Sequence, residues 1–186
     1  MQPEYLVLVD DTGSAIGQAE KLAAHHANTP LHRAFSCYIF DDQGQFLATQ
    51  RAAVKKVWPT VWTNSVCGHP FPGESTEDAI RRRVRYEIGM DLKDIACIVP
   101  DYTYKTPPYR GIIEHEYCPI YVARAVDEPQ LNPQEVDDFR WMSWAGYCAA
   151  AEADTRDEYS WWCKDQLKLI KTNAMLLQYA QPASPN

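Results

Sequence analysis

A segment between residues 68 and 90 predicts a helix with both ends marked in the sequence. Ser75 can cap its start, Asp78 completes a capping pair three residues on, and the acidic residues there suit the positive end of the helix dipole. Gly89 is well placed to end the helix. The apolar stripe at helical spacing consists of Ile80, Val84 and Ile88. A helix with one apolar stripe packs that face against another element of secondary structure, so we expect the chain to fold into packed layers of helices and strands.

The other apolar runs resemble strands separated by turn residues. We predict strands over residues 5–9, 16–21, 34–40, 45–51, 61–67, 95–104, 112–125 and 139–144. Residues 41–44 would join two of these in a hairpin, and Pro30 makes residues 25–33 a loop. Two C-terminal helices are predicted over residues 145–153 and 161–179, the second with an apolar face. That face comprises Leu167, Ile170, Ala174 and Leu177. The predicted class is α+β, with one mixed β-sheet packed by helices.

Composition narrows the possible functions. With 186 residues and 46% apolar content, we expect one folded domain over residues 1–186, with residues 181–186 as a loose tail. A net charge of −7 argues against nucleic acid as a partner and against an anionic membrane surface. No apolar run approaches the roughly 20 residues of a membrane span. Six cysteines without a C-x-x-C pair, and no signal-peptide pattern at the start, favour a reduced, cytoplasmic protein.

Two predicted strands carry reactive side chains at positions two apart. Cys67 and His69 would share one strand face, and so would Glu114 and Glu116. Like charges on one face destabilise a strand unless something compensates them, although an edge strand with a solvated face is an alternative. If the two faces meet, one pocket would hold a thiol, an imidazole and two carboxylates.

Two further histidines could complete a metal site. His25 and His32 bracket the predicted loop and could converge on one ion, although such a pair can also be a solvated loop feature. His26 and His115 are weaker candidates, because His115 would point away from its two acidic neighbours. Three imidazoles with two carboxylates would suit Mn²⁺, Zn²⁺ or Fe²⁺, and ligand type does not select among them.

The segment 68–90 also carries a spaced motif, G-x5-E-x7-R-x-U-x-x-E-x-G-U, where U is aliphatic. It is matched by Gly68, Glu74, Arg82, Val84, Glu87, Gly89 and Met90. The motif resembles the Nudix box of diphosphate hydrolases, in which three glutamates bind Mg²⁺. Arg83 and Tyr86 replace two of those glutamates, so Glu87 alone remains. An arginine there removes metal-binding charge and adds a phosphate clamp. A capped amphipathic helix without a ligand is the alternative.

Basic residues near these motifs could bind an anion. The candidates are Lys21, Arg51, Lys55, Lys56 and Arg83, although each alone could be a solvated charge. Arg81, Arg82 and Arg85 are expected on the surface of the helix.

The run T-N-S-V-C-G-H-P leading into an altered Nudix box resembles the type 1 isopentenyl-diphosphate Δ-isomerases, and the match extends over nearly the whole chain. The resemblance implies a Nudix-like sheet sandwiched by helices, and interconversion of isopentenyl and dimethylallyl diphosphate in isoprenoid biosynthesis. It implies a divalent metal, Mn²⁺ or Zn²⁺, in a site whose ligands would be His25, His32, His69, Glu114 and Glu116. It also implies Mg²⁺ bridging the diphosphate to Glu87 and to the carbonyl of Cys67.

The resemblance further implies catalytic roles. Cys67 and Glu116 would be the acid–base pair on opposite faces of the alkene, with Tyr104 hydrogen-bonded near Glu116. The family pattern aromatic-S-P-W becomes Tyr-Ser-Trp-Trp at residues 159–162. Motif spacing gives the carbocation-facing role to Trp162, with Trp161 in place of the proline and the choice between them open. Lys21, Arg51, Lys55 and Arg83 would bind the diphosphate. A monomer or weak homodimer is expected.

Two other functions are weighed against the isomerase. A Nudix hydrolase would release phosphate, and the loss of glutamates at positions 83 and 86 argues against it. A non-catalytic, metal-stabilised binding module would tolerate replacement of Cys67.

Overall fold

A computed structural model describes residues 4–183 as two β-sheets flanked by helices. The larger sheet has the strand order β12-β5-β4-β11-β8, with β6 paired to β5 and β7 paired to β4. Its strands are β4 (Phe35–Phe40), β5 (Phe46–Arg51), β6 (Trp62–Thr63), β7 (Val66–Gly68), β8 (Leu92–Val99), β11 (Ile120–Ala125) and β12 (Val136–Met142). The partners of β4 are parallel β11 and antiparallel β5 and β7, so the sheet is mixed, as predicted.

Apolar layers cover both faces of this sheet. Strand β4 is buried throughout and alternates between two cores, with Tyr38 and Phe40 on one side and Cys37 and Ile39 on the other. This is the pattern of a central strand buried on both faces. The α+β class with a helix-sandwiched mixed sheet is therefore confirmed.

The smaller sheet, in the order β2-β1-β3-β10-β9, positions the histidines and acids. Its strands are β1 (Tyr5–Val9), β2 (Ala15–Glu20), β3 (His32–Arg33), β9 (Thr103–Lys105) and β10 (His115–Tyr117). Parallel pairing of β3 with β10 places His32 opposite Glu116, and antiparallel β9 places Tyr104 on the other side of Glu116. Residues 25–33 were predicted as a loop, yet the two residues of β3 lie within that range.

The predicted capped helix forms as α2 (Thr76–Ile88). Ser75 Oγ accepts a hydrogen bond from the Asp78 amide, and Gly89 ends the helix with φ 62°, a left-handed conformation that glycine adopts at little cost. Its stripe packs into one of the two cores.

The other helices are α1 (Lys21–Ala24), α3 (Trp144–Glu152), α4 (Trp161–Ile170) and α5 (Ala174–Tyr179). The predicted helix 161–179 is therefore wrong as one element, because the Asn173 side chain caps a new helix. Leu167 and Ile170 are buried as expected, whereas Ala174 and Leu177 are exposed and Leu176 is buried in their place. Residues 184–186 of the predicted loose tail lie outside the described range.

Three predicted strands are each divided in two. The run 95–104 breaks at Pro100 and the run 112–125 at Pro119, because proline has no N–H to donate to a ladder. The resulting pieces belong to different sheets. The run 61–67 divides at Asn64 and Ser65, whose side chains hydrogen-bond to the backbone. No helix within residues 4–183 is long and apolar enough to cross a membrane.

Candidate active site

One open cavity of about 490 Å³ lies where the two sheets approach helix α2. Most residues predicted from the sequence line it: Lys21, His25, Arg51, Lys55, Lys56, Cys67, His69, Arg83, Glu87, Tyr104, Glu114, Glu116 and Trp162. His32 is fully buried beneath its wall. A volume of this size is typical of pockets for small ligands. The predicted convergence of the Cys67 and Glu116 segments is therefore observed.

The three predicted histidines form one cluster. His32 Nε2 lies 3.2 Å from His69 Nε2, and His69 Nε2 lies 3.1 Å from Glu116 Oε1. His25 Nε2 lies 3.1 Å from Glu114 Oε2. Two overlapping triads, His25–His32–His69 and His32–Glu114–Glu116, each bring their potential ligand atoms within 4.8 Å of one another.

The backbone fixes which histidine nitrogens face this centre. His25 Nδ1 lies 2.6 Å from the Lys21 carbonyl, and His32 Nδ1 lies 2.9 Å from the Pro30 carbonyl. Because a carbonyl oxygen can only accept, each Nδ1 carries the hydrogen and donates it, which leaves the Nε2 lone pair of the neutral ring directed inward. A neutral imidazole with this orientation can bind a metal ion. Burial lowers the pKa of His25, but the hydrogen bond to Glu114 and the charge of that carboxylate outweigh burial and raise it above its usual value, so a metal ion would have to displace a proton from this ring.

The electrostatics of the cluster also fit a cation. Glu114 Oε2 is buried and lies 3.1 Å from His25 Nε2, so the charge of this carboxylate is balanced either by a protonated His25 or by a bound cation. Burial, reinforced by the neighbouring His69, lowers the pKa of His32 from 6.5 to about 4, so the ring is neutral at physiological pH. Burial likewise lowers the pKa of His69 well below its usual value. An imidazole and carboxylate donor set of this kind suits a divalent transition metal.

The Cys67 thiol lies on β7 at the cavity wall. The thiol donates a hydrogen bond to Asn64 Oδ1 at 3.1 Å and lies 3.4 Å from Ser36 Oγ. Burial raises the pKa of Cys67 to about 12, although both of these polar neighbours oppose the rise. The group is therefore a protonated thiol near neutral pH, able to act as an acid.

Glu116 is held on both of its oxygens. The Tyr104 hydroxyl donates a hydrogen bond to Oε2 at 2.7 Å, while Oε1 faces His69. Burial, together with Glu116 itself, raises the pKa of Tyr104 well above 10, so the phenol remains a donor. This arrangement fixes the carboxylate against the cavity.

The structure separates the two adjacent tryptophans. Trp162 is 4% exposed and lines the cavity, with its Nε1 donating to Asn64 Oδ1 at 3.2 Å. Trp161 stacks on Tyr104 with ring centroids 5.9 Å apart and is not among the residues lining the cavity. Of these two tryptophans, Trp162 is therefore the one that lines the cavity.

Four basic residues at the cavity, Lys21, Arg51, Lys55 and Arg83, have an acidic or carbonyl partner. Lys21 Nζ lies 2.7 Å from Glu4 and Arg83 Nη2 lies 2.8 Å from Glu87, while Lys55 pairs with Glu135. Arg51 donates to the carbonyls of Val57 and Trp58 at 3.1 and 3.0 Å. These four residues, with their partners Glu4, Glu87 and Glu135, all line the cavity, and we call the four of them the basic wall.

Sequence reasoning missed three polar neighbours of the site: Ser36, Asn64 and Glu135. Asn64 and Ser36 resemble ordinary turn and strand residues, while Glu135 precedes β12 in a polar loop. The sequence offered one signal for these residues, namely that Asn64 lies three positions before Cys67.

Arg82 was expected at the surface, yet it donates through Nε and Nη2 to both oxygens of Glu74, at 2.7 Å each, and to the His69 carbonyl at 3.1 Å. It therefore fixes the turn that carries His69, a link that spacing alone did not indicate. His26 and His115 lie outside the two triads, as expected.

Comparison with known proteins places this site in a family. The NUDIX domain matches residues 30–162. The isopentenyl-diphosphate Delta-isomerase of Mycolicibacterium vanbaalenii is 44% identical over 171 residues, covering 90% of this chain and 91% of the relative. The protein of the same name from Salmonella heidelberg is 43% identical over 181 residues, covering 97% and 99%.

Solved structures show the same fold at low identity. A protein from Deinococcus radiodurans superposes with a TM-score of 0.68 at 20% identity, covering 89% of this chain and 98% of its own. A MutT NUDIX hydrolase from Burkholderia pseudomallei gives 0.57 at 18% identity, covering 75% and 98%. With the altered box and its relatives taken together, the chain belongs to the NUDIX family and, within it, to the isopentenyl-diphosphate Delta-isomerases.

Proposed function

We propose that this protein interconverts isopentenyl diphosphate and dimethylallyl diphosphate for isoprenoid biosynthesis. The observation that carries the proposal is the presence in one cavity of the Cys67 thiol, the anchored Glu116 carboxylate and a wall of basic residues. The names of the relatives support the same reaction. We also propose that residues 1–186 act as one isomerase domain.

Cys67 and Glu116 are the proposed acid–base pair. Moving a double bond requires protonation of one carbon and removal of a proton from another, so two proton-transfer groups are needed. The protonated thiol and the carboxylate held by Tyr104 supply them, from opposite sides of the five-carbon chain. Because protonation leaves a tertiary carbocation that water would trap, the cavity must exclude water when substrate is bound.

Trp162 is the proposed stabiliser of that carbocation. A cation over an indole face gains about 0.5–2 kcal/mol. The position of Trp162 at the cavity, with its N–H held by Asn64, supports this role over Trp161.

The His/Glu cluster is the proposed site of a resident divalent metal, Mn²⁺ or Zn²⁺. The proposed ligands are His25, His32, His69, Glu114 and Glu116, and the convergence of their potential ligand atoms in two overlapping triads supports the fit. The bound ion would fix the Glu116 carboxylate and tune its acidity.

The basic wall is the proposed diphosphate site. Lys21, Arg51, Lys55 and Arg83 would bind the phosphate oxygens, and Mg²⁺ would connect the diphosphate to Glu87 and the Cys67 carbonyl. Arg83, at a position where hydrolases of this motif carry a glutamate, supports binding without cleavage.

Location and assembly are also proposed. All six cysteines are free thiols, which supports a reducing cytoplasm. We propose a monomer or weak homodimer with a small diphosphate as its ligand, and neither nucleic acid nor membrane as partner.

Proton NMR of the protein with isopentenyl diphosphate and Mg²⁺ tests the proposal. The expected product is dimethylallyl diphosphate. Signals of the free alcohol or of its monophosphate would instead indicate a hydrolase that releases phosphate, and an unchanged spectrum despite binding would indicate a binding module. Either of those results would overturn the isomerase assignment.

A further inference from the structure

Asn64 lies between β6 and β7, where it is buried and forms part of the cavity wall. Its Nδ2 donates to the Val66 carbonyl at 3.0 Å and to the Cys37 carbonyl at 3.3 Å. Because both partners can only accept, these bonds settle which end of the amide carries the nitrogen. The oxygen Oδ1 must therefore point the opposite way.

That oxygen meets two groups of the cavity at once. It accepts from the Cys67 thiol at 3.1 Å and from Trp162 Nε1 at 3.2 Å, and a third donor, the Thr63 hydroxyl, lies at 2.9 Å. Cys67 lies on β7 of the larger sheet, whereas Trp162 lies on α4, 95 positions later in the chain. The Asn64 Oδ1 atom thus links β7 and α4, two elements that lie far apart in the sequence.

We infer that Asn64 is a positioning residue that aligns the Cys67 thiol with the Trp162 indole. A thiol on a single χ1 angle has three staggered orientations, and a hydrogen bond from the thiol to a fixed acceptor favours one of them. The indole ring is held in the same way through its N–H. The inference rests on the proposed isomerase function, in which these two groups act on the same hydrocarbon.

A second contact supports the thiol from another direction. Ser36 Oγ lies 3.4 Å from Cys67 Sγ and accepts from Gln166 Nε2 at 2.9 Å. With Gln166 donating to it, the serine hydroxyl is free to direct its own hydrogen at a sulfur atom. Asn64 differs from Ser36 in that it also binds the indole of Trp162. Replacing Asn64 should therefore loosen both the Cys67 thiol and the Trp162 ring.

The test compares Asn64→Ala, Asn64→Asp and a control, Ser65→Ala. Ser65 is equally buried, and its hydroxyl bonds the Ile39 amide and the Leu47 carbonyl, so its loss destabilises the same turn without touching Cys67 or Trp162. We expect Asn64→Ala to lower kcat for isopentenyl diphosphate about 30- to 100-fold with KM within about threefold, because a misplacement near 1 Å can cost about 100-fold. Asn64→Asp keeps the acceptor oxygen but replaces the donor to the Val66 and Cys37 carbonyls with a second oxygen, so it should stay well below the parent in kcat.

A spectroscopic readout separates this inference from the function itself. The indole N–H resonance of Trp162, assigned by its absence in Trp162→Phe, should shift in Asn64→Ala and stay in place in Ser65→Ala. The inference is overturned if the resonance does not move, or if Asn64→Ala and Ser65→Ala lower kcat equally. If the parent protein lacks isomerase activity, the proposed function fails, while the resonance still reports whether Asn64 holds the indole.

Discussion

Replacing Tyr104 with phenylalanine removes the one hydroxyl of this side chain, which contacts Glu116 at the cavity. That hydroxyl donates a 2.7 Å hydrogen bond to Glu116 Oε2, and both residues are buried. The ring itself is kept, including its stacking on Tyr102 and Trp161. The substitution therefore tests one hydrogen bond to a buried carboxylate.

The expected size of the effect follows from that bond. A hydrogen bond to a charged group contributes about 1.5–3 kcal/mol, and each 1.4 kcal/mol is a factor of ten in rate. We expect kcat for isopentenyl diphosphate to fall about 10- to 100-fold. KM should change little, because the Tyr104 hydroxyl donates to Glu116 and to none of the four basic residues that are proposed to bind the diphosphate.

Tyr102→Phe is the matched control for this measurement. Its hydroxyl also donates to a carboxylate at 2.7 Å, but the acceptor is Asp165 on α4 and Tyr102 does not line the cavity. Both variants are assayed by proton NMR at saturating substrate and Mg²⁺. If Tyr104→Phe turns over within twofold of the parent, or no more slowly than Tyr102→Phe, the role assigned to the Tyr104–Glu116 bond is wrong.

Three further predictions concern charge, metal and pH. Lys55→Met should raise KM about tenfold with kcat nearly unchanged, because it removes one charge-assisted contact to the diphosphate. The control is Lys93→Met, a surface lysine paired with Asp42, which should change neither parameter. Equal KM values in the two variants would contradict the assignment of Lys55 to the diphosphate site. Chelation of the metal-loaded protein should lower Tm by about 5–10 °C, since a metal ion at 100 times its Kd stabilises the folded state by about 2.7 kcal/mol. Calorimetry should find no such drop in His32→Ala, which lacks one of the proposed ligands. Asp154 is the pH prediction: burial opposes its ionisation, but hydrogen bonds from the amides of Tyr159, Arg156 and Glu158 and from Lys164 outweigh it and lower its pKa from 3.8 to about 2. Its stabilisation, about 1 kcal/mol after allowance for screening, is present above pH 4 and is lost as pH falls from 4 to 2. Urea unfolding of Asp154→Asn should accordingly be less sensitive to pH in this range than that of the parent.

The sequence predicted the features that depend on neighbouring residues. Helix α2 was placed correctly because Ser75, Asp78 and Gly89 act within one turn of its ends. The long strands failed where Pro100 and Pro119 turn the chain from one sheet to the other. Alternating apolar residues continue across such a break, so periodicity alone did not reveal it.

The residues of the candidate site also divide into those that local sequence patterns predicted and those that depend on distant contacts. Cys67 and His69 were found together because they lie two residues apart, and so were Glu114 and Glu116. His25 and His32 were candidates from the loop that they bracket, and the family resemblance joined all five proposed ligands in one site. The contact of His32 with Glu116 arises from parallel pairing of β3 and β10 across 84 positions, which no local pattern encodes. Asn64 was missed because its role depends on Trp162, a residue of a distant helix.

The central claim is that, of Cys67 and Glu116, one adds a proton to a hydrocarbon held in the cavity between them and the other removes a proton from it. The most direct test measures turnover and bound metal in Cys67→Ala, since Cys67 Sγ is not among the proposed ligands of the His/Glu centre. We predict a loss of isomerisation of about 100- to 10,000-fold, the range of general acid–base catalysis, with metal content retained. Turnover within a few-fold of the parent, at full metal content, would contradict the account.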